Sequence, residues 1–192
     1  NVYNKVKEIT GIDVADITFN KEEELNQTKN TQICILTMSL AILELLKKEN
    51  IESEISSGLS LGEYSALINS GAISFEDGVK IIKKRGELMQ EFCPEGDWSM
   101  VAILGLDEEK INEICKNIKS GFIAPANYNC PGQIVISGEK KAIEEAIEKA
   151  KEAGAKKAVE LKTSGPFHTE MLKEAAEKLR EELENIDIHQ FK

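Results

Sequence analysis

Ser57-Gly58-Leu59-Ser60-Leu61-Gly62-Glu63-Tyr64-Ser65-Ala66 is the stretch around which the chain is organised, because it sets one serine between two glycines at the start of an amphipathic segment. A Gly-x-Ser-x-Gly spacing lets the backbone turn sharply from strand into helix. Both glycines spare the turn a Cβ clash, and the Ser60 hydroxyl is left exposed as a nucleophile elbow. The first N–H groups of the following helix have no intrahelical acceptor and can face the oxyanion formed when Ser60 attacks a carbonyl. The same five residues also fit a plain tight turn between strand and helix. The rest of the chain decides between the two.

Upstream, Ile51 to Ser57 reads as the strand feeding the elbow, although Ser53, Glu54, Ser56 and Ser57 make it polar for a central parallel strand. Before it, Asn30-Thr31-Gln32 reads as an N-cap region and Ile33 to Lys48 as a core helix, apolar on nearly every face. Its apolar run, Ile33 to Leu46, is too short to span a bilayer and carries Thr37, Ser39 and Glu44. Val2, Val6 and Ile9 mark a short helix ending at Gly11, followed by an acidic turn around Glu22, Glu23 and Glu24. No apolar strand precedes that helix, so the first strand of the fold is expected to lie before these residues.

Downstream, the elbow helix runs to Gly71, and Ser74 with Asp77 has capping-box spacing for a second helix that repeats Val79, Ile82, Gly86 and Met89 on one face. From Ser99 to Leu161 the rhythm changes to strand 99–104, helix 107–118, strand 122–128, strand 133–137, helix 140–153 and strand 158–161. The order βαββαβ is the split, ferredoxin-like arrangement, with Asn129-Cys130-Pro131-Gly132 as the hairpin between its middle strands. A helix is expected from Met171 to Leu183, and Ile186 to Lys192 approaches another strand. The fold class is therefore α/β. Residues 1–97 and 162–192 form a core with a parallel sheet and a nucleophile elbow, and 98–161 form an inserted ferredoxin-like α+β subdomain.

At 192 residues, 41% hydrophobic and 30% charged, the composition is that of a soluble globular chain. A net charge of −10 argues against nucleic-acid binding, and any anionic ligand needs a local basic patch. Cys34, Cys93, Cys115 and Cys130 lie far apart with only two histidines to share a metal. They read as reduced, mostly buried thiols of a cytoplasmic protein without a metal site.

A serine nucleophile needs a base, and the candidates are His168 and His189. His168 follows the rigid Gly165-Pro166 turn where the inserted unit rejoins its parent. His189 lies in a charged tail and reads as an exposed histidine. The acids between Ser60 and His168, such as Glu108, Glu139 and Glu144, fall on helices of the inserted unit, which favours a Ser-His dyad braced by a backbone carbonyl over a full triad. Lys83-Lys84-Arg85-Gly86-Glu87-Leu88-Met89 fits a solvated helix face. It also offers Arg85 to hold a carboxylate bidentately, with Met89 on the same face to line an acyl pocket.

These residues resemble the malonyl-CoA:acyl-carrier-protein transacylase family of bacterial type II fatty acid synthesis, which shares its fold with polyketide synthase acyltransferase domains. Gly58-Leu59-Ser60-Leu61-Gly62-Glu63 is similar to the family's Gly-His-Ser-Leu-Gly-Glu motif. The stretches Ser74 to Asp77, Lys84 to Gln90, Ala126 to Gln133 and Ser164-Gly165-Pro166-Phe167-His168 match in order. The resemblance implies an α/β-hydrolase-like fold, Ser60 as nucleophile, His168 as base and the Leu61 N–H as an oxyanion donor. It implies Arg85 as partner of the malonyl carboxylate and Met89, Asn127 and Phe167 as acyl-pocket residues, with Lys156 and Lys157 near the coenzyme A phosphates. Lys156 and Lys157 read equally well as a solvated pair.

The expected partners are malonyl-CoA, a substrate and not a cofactor, and acyl carrier protein, for a cytoplasmic monomer with no nucleic acid or membrane partner. Leu59 stands where many members have His. The family's N-terminal strand with its glutamine-bearing loop, and its C-terminal strand region, have no counterpart among these residues. A serine esterase or thioesterase, or a fragment that binds carrier protein without turnover, are the alternative readings.

Overall fold

The computed structural model describes residues 1–161, 163 and 165–190. Lys162, where the sequence reading restarts the core, and Ser164 of the Ser164–His168 motif lie outside them. So do the last two residues of the tail; Ile186 to Gln190 contain no strand. The chain divides into two compact units, Asn1–Glu91 with Ala175–Lys192, and Phe92–Glu174. These limits place Phe167 and His168 in the second unit.

The first unit is helical. Helix α1 (Val2–Thr10) is capped by the Asn1 side chain and ends at Gly11, whose φ of 74° is the left-handed stop a glycine provides. Val14–Asn20 form α2, capped by Asp13, and the acidic turn expected around Glu22, Glu23 and Glu24 is the one-turn helix α3 (Glu22–Leu25). Helix α4 (Thr28–Lys48) starts before its expected N-cap region. Asn30 and Thr31 lie inside the helix, their side chains donating to the carbonyls of Glu24 and Leu25. At 21 residues α4 is long and apolar enough, by length and composition alone, to cross a membrane.

Nor is α4 buried on nearly every face. Ile33, Leu36, Thr37 and Leu40 form a core with Val6, Val14, Val79 and Ile82, whereas Ile35, Met38, Ile42 and Leu45 on the other side are exposed. Each fully buried apolar side chain on the inner side contributes roughly 1.5–3 kcal/mol. Helix α5 (Leu61–Asn69) leads to α6 (Phe75–Glu91), where Ser74 Oγ accepts from the Asp77 N–H and donates to the Asp77 carboxylate. Gly86 lets α6 press on α4, since a Cβ there would meet the Lys29 backbone at 2.9 Å.

The expected strand at 51–57 is not formed, and the parallel sheet it would join is not found among the described residues. A parallel strand is stabilised by neighbours on both edges. No neighbouring strand is present among the described residues of this unit, and the stretch is held instead by Asn69 Nδ2, which donates to the Ser53 and Ser56 hydroxyls.

The second unit holds the sheet. Strands β1 (Trp98–Leu104), β2 (Ile123–Cys130), β3 (Gln133–Glu139) and β4 (Lys157–Leu161) lie in the order β2-β3-β1-β4, every pair antiparallel. Helices α7 (Glu108–Asn117) and α8 (Lys140–Glu152) complete the order βαββαβ, each element within two residues of its expected ends. Alternation decides the faces. Val101, Ile103, Ile134 and Ile136 pack on Ile111, Ile114, Ala142, Ile143 and Ala146 of the helices. Met100, Ala102 and Val135 face the other way and carry Leu161 and Phe167. A 3-10 turn (Glu170–Leu172) leads into α9 (Lys173–Leu183), which from Ala175 on belongs to the first unit, where Glu182 lies 3.6 Å from Lys84 in an ion pair.

Candidate active site

Ser60 sits at the N-cap of α5 with φ 53° and ψ −110°, a conformation an L-residue adopts only at a cost of about 1–3 kcal/mol. Gly58 makes the turn possible. A Cβ at Gly58 would lie 2.0 Å from the Gly62 carbonyl carbon, so the backbone crosses itself where no side chain fits. Gly62 is different, because a Cβ there meets nothing within 4 Å. Of the two glycines read as sparing a clash, only Gly58 does so.

The Ser60 hydroxyl does not cap the helix it precedes. It is left for chemistry. Gly62 N–H bonds the Leu59 carbonyl and Glu63 N–H the Ser60 carbonyl, while the Leu61 N–H has no backbone acceptor among the described residues. That is the donor an oxyanion on an acyl group at Ser60 would need.

Arg85 reaches the serine from α6, its Nη2 donating to Ser60 Oγ at 2.9 Å. The residue is buried, unlike Lys83 and Lys84 beside it, so the solvated-face reading holds for the lysines and fails for Arg85. Its Nη1 donates to Gln32 Oε1, and Gln32 Nε2 in turn meets the Met89 sulfur at 3.1 Å. The guanidinium carbon lies 5.8 Å from the centre of the Tyr64 ring. Burial lowers the Arg85 pKa, against the pull of Tyr64 and Glu63, and an arginine stays charged regardless. Burial likewise raises the Tyr64 pKa. The result is a buried cation held by an amide, a hydroxyl and a ring.

Gln32 and Tyr64 escaped the sequence reading, yet both left a signal. Gln32 lies four residues before Leu36, a polar residue at a buried position of an apolar helix. Tyr64 follows Ser60 by four, one turn along the same helix face.

The structure therefore brings together Ser60, Leu61, Arg85 and Met89. The remaining residues belong to the second unit. His168 is exposed, with φ 61°, in the turn after Gly165-Pro166. Phe167 packs on the open sheet face, and a Cβ at Gly165 would meet Cys93 Sγ at 2.5 Å and the Phe167 ring at 3.2 Å. Asn127 lies half-buried at a register shift of β2, and Lys156 and Lys157 are exposed at the start of β4. The exposed His189 donates its backbone N–H to the Ala72 carbonyl in the first unit.

A cavity of about 640 Å³ in the first unit is lined by Leu43, Ile51, Ile55, Ala66 and Leu67. Its lining runs along residues 51–58 and α5 and includes Gly58 and Glu63 of the elbow, but neither Ser60 nor Arg85. Among the described residues no cluster of three or more His, Cys, Asp or Glu is placed to hold a metal ion. No disulfide joins the four cysteines among the described residues; Cys34 and Cys115 are buried and Cys93 half-buried, as expected of mostly buried thiols, whereas Cys130 is exposed.

Residues 2–192 match the acyl transferase domain family. The chain is 50% identical over 168 residues to the malonyl CoA-acyl carrier protein transacylase of Bacillus subtilis, covering 86% of this chain and 53% of that protein. The crystal structure of malonyl CoA-acyl carrier protein transacylase from Clostridium perfringens superposes with a TM-score of 0.89 at 51% identity, over 99% of this chain and 60% of that one. A type II PKS acyl-carrier protein in complex with its malonyl-transacylase gives 0.89 at 40% identity, over 98% of this chain and 62% of that one. The chain thus spans about half the length of the curated relatives it matches.

Proposed function

Because the chain belongs to the acyl transferase domain family, we propose that it carries an acyl group as an ester on Ser60 and that the group is malonyl. It is taken from coenzyme A and delivered to the phosphopantetheine thiol of an acyl carrier protein, for fatty acid synthesis. The observation that carries this reading is the 2.9 Å hydrogen bond from Arg85 to Ser60 Oγ. An acyl group on that oxygen that ends in a carboxylate meets a buried guanidinium, while a neutral one leaves the charge unpaired.

In the first half-reaction Ser60 Oγ attacks the thioester carbonyl and its proton passes to His168. The Leu61 N–H supports the oxyanion, and coenzyme A leaves with the proton from His168. In the second, the carrier thiol gives its proton to His168 and attacks the ester, and Ser60 recovers a proton as it departs. Met89, Asn127 and Phe167 line the acyl pocket, and Lys156 and Lys157 hold coenzyme A phosphates. The positive φ of His168 supports its part in this reading, since strained turns collect at working residues.

In the complete protein, residues 51–57 form the parallel strand leading into the elbow of an α/β-hydrolase-like core, 1–97 and 162–192. Residues 98–161 are its ferredoxin-like insertion. The protein is a cytoplasmic monomer that binds neither nucleic acid nor membrane.

Mass spectrometry of the full-length protein after mixing with malonyl-CoA or acetyl-CoA tests the reading. A malonyl adduct on Ser60 in excess of acetyl, with the preference reversed by Arg85→Ala, is the expected result. No adduct, or equal labelling, overturns it, and free malonate released as fast as coenzyme A identifies a hydrolase instead.

A further inference from the structure

Arg85 is a buried cation whose closest described partners are all neutral, and no ion pair to it forms among the described residues. A guanidinium recognises a carboxylate through two parallel N–H groups, so its plane has to be fixed as well as its position. Gln32 holds one nitrogen edge-on and Ser60 the other. The second hold is temporary. Once Ser60 Oγ carries an acyl group it is an ester oxygen, a much weaker acceptor, and Arg85 loses that guide at the moment it must meet the carboxylate. What remains is Gln32 at one edge and Tyr64, whose ring centre lies 5.8 Å from the guanidinium carbon and whose hydroxyl is within hydrogen-bonding reach of it. Tyr64 is itself fixed, half-buried against the helical core of the first unit. Because it follows Ser60 by one helical turn, the backbone that places the nucleophile also places the ring.

We propose that Tyr64 is a positioning residue that holds the plane of the Arg85 guanidinium for the carboxylate of an acyl group on Ser60, and so sets the discrimination against neutral acyl groups. The inference rests on the acyl-serine reading above. Tyr64 acts through Arg85 and not on the reacting atoms.

In the full-length protein, Tyr64→Leu lowers the ratio of malonyl to acetyl labelling of Ser60 by about 2- to 30-fold, the span expected of a cation–π contact. The loss falls on malonyl-CoA and leaves acetyl-CoA labelling in place. Tyr64→Phe keeps the ring but removes the hydroxyl that also reaches Arg85, so it lowers the ratio by less than Tyr64→Leu. In an Arg85→Ala background Tyr64→Leu changes it no further, because its only route is through Arg85. Where Tyr64→Leu fails to fold, a fluorinated phenylalanine at 64 keeps the ring's shape while removing its attraction for a cation, and it lowers the ratio in the same way. An unchanged ratio in either ring-weakened variant, alongside a ratio that collapses in Arg85→Ala, overturns the inference and leaves the acyl-serine reading standing.

The NMR resonance of the Arg85 Nε–H separates the two failures, since it needs no turnover. It shifts in Tyr64→Leu, and by less in Tyr64→Phe, if the ring fixes the guanidinium, even where no acyl-serine forms. A resonance that does not move in Tyr64→Leu overturns the inference by itself.

Discussion

The two units bury their apolar residues in different ways. In the second, every strand has a ladder partner, and the alternating side chains of β1 and β3 fill one core against two helices and a smaller cluster on the opposite face. In the first, helices alone enclose the core, and Ile42, Leu45 and Ile55 stay 52%, 61% and 86% exposed. That less saturated unit also carries the strained serine and the buried cation. Strain of this kind persists only where neighbours over-determine it. Here those neighbours are the crossing at Gly58 and the bond from Arg85. The second unit has its own strained turn, at His168, but only in the first does the strain fall on a hydroxyl held by a buried cation.

The sharpest way to break that contrast is Ser60→Ala. Acyl-serine formation from malonyl-CoA should fall by about 10⁴-fold or more, as removing a nucleophile does, while stability falls by only about 1–3 kcal/mol, the cost of leaving the buried Arg85 without that acceptor. Mass spectrometry and a denaturant titration check the two halves. Near wild-type labelling would move the chemistry away from the elbow.

Next in size is the cost of emptying a core. Ile143→Ala, at a site 2% exposed in the second unit, should cost about 2–5 kcal/mol. Ile55→Ser, at the most exposed apolar residue of the first, should stay within about 0.5 kcal/mol. Equal costs in urea would show that residues 51–58 are packed in solution and dissolve the distinction.

How much of this was legible in the sequence also follows the contrast. The second unit could be read almost element by element, because its strands alternate with period two and its helices carry their own stops, such as Asp107 as a cap and Gly154 after α8. The elbow was legible for a local reason, since Gly58 and Ser60 are defined by a backbone turn. The expected strand at 51–57 was not, because a parallel strand is decided by its neighbours and not by its own residues. Gln32 was mistaken for part of a cap because its neighbours Asn30 and Thr31 are cap-forming types, and only the approach of α6 at Gly86 shows why a polar residue belongs there.

Cys115 provides a pH test of the second core. Burial pushes its thiol from the ordinary 9.0 up to about 11, so the folded state holds its proton where the unfolded chain releases it. Stability from this group is complete below pH 9 and falls as pH rises through 11. The difference between 9.0 and about 11 corresponds to about 2–3 kcal/mol. Cys115→Ala should flatten that loss in a chemical-denaturation series across the window. An equal loss in the variant would assign it to other groups.

The smallest effect is the most direct probe of strain. Ser60→Gly and Ser60→Ala both remove the hydroxyl that Arg85 holds, so the difference between them isolates the backbone. At an exposed mid-helix site such as Glu144 in α8, alanine should be more stable than glycine by about 1 kcal/mol, because glycine loses more freedom on folding. At Ser60 the order should reverse. The φ of 53° that costs alanine about 1–3 kcal/mol costs glycine almost nothing, which outweighs glycine's entropy loss by roughly 1 kcal/mol. Denaturant midpoints of the four variants measure both signs. Were alanine the more stable at both positions, the elbow would be relaxed, and the first unit would hold Ser60 in place without cost.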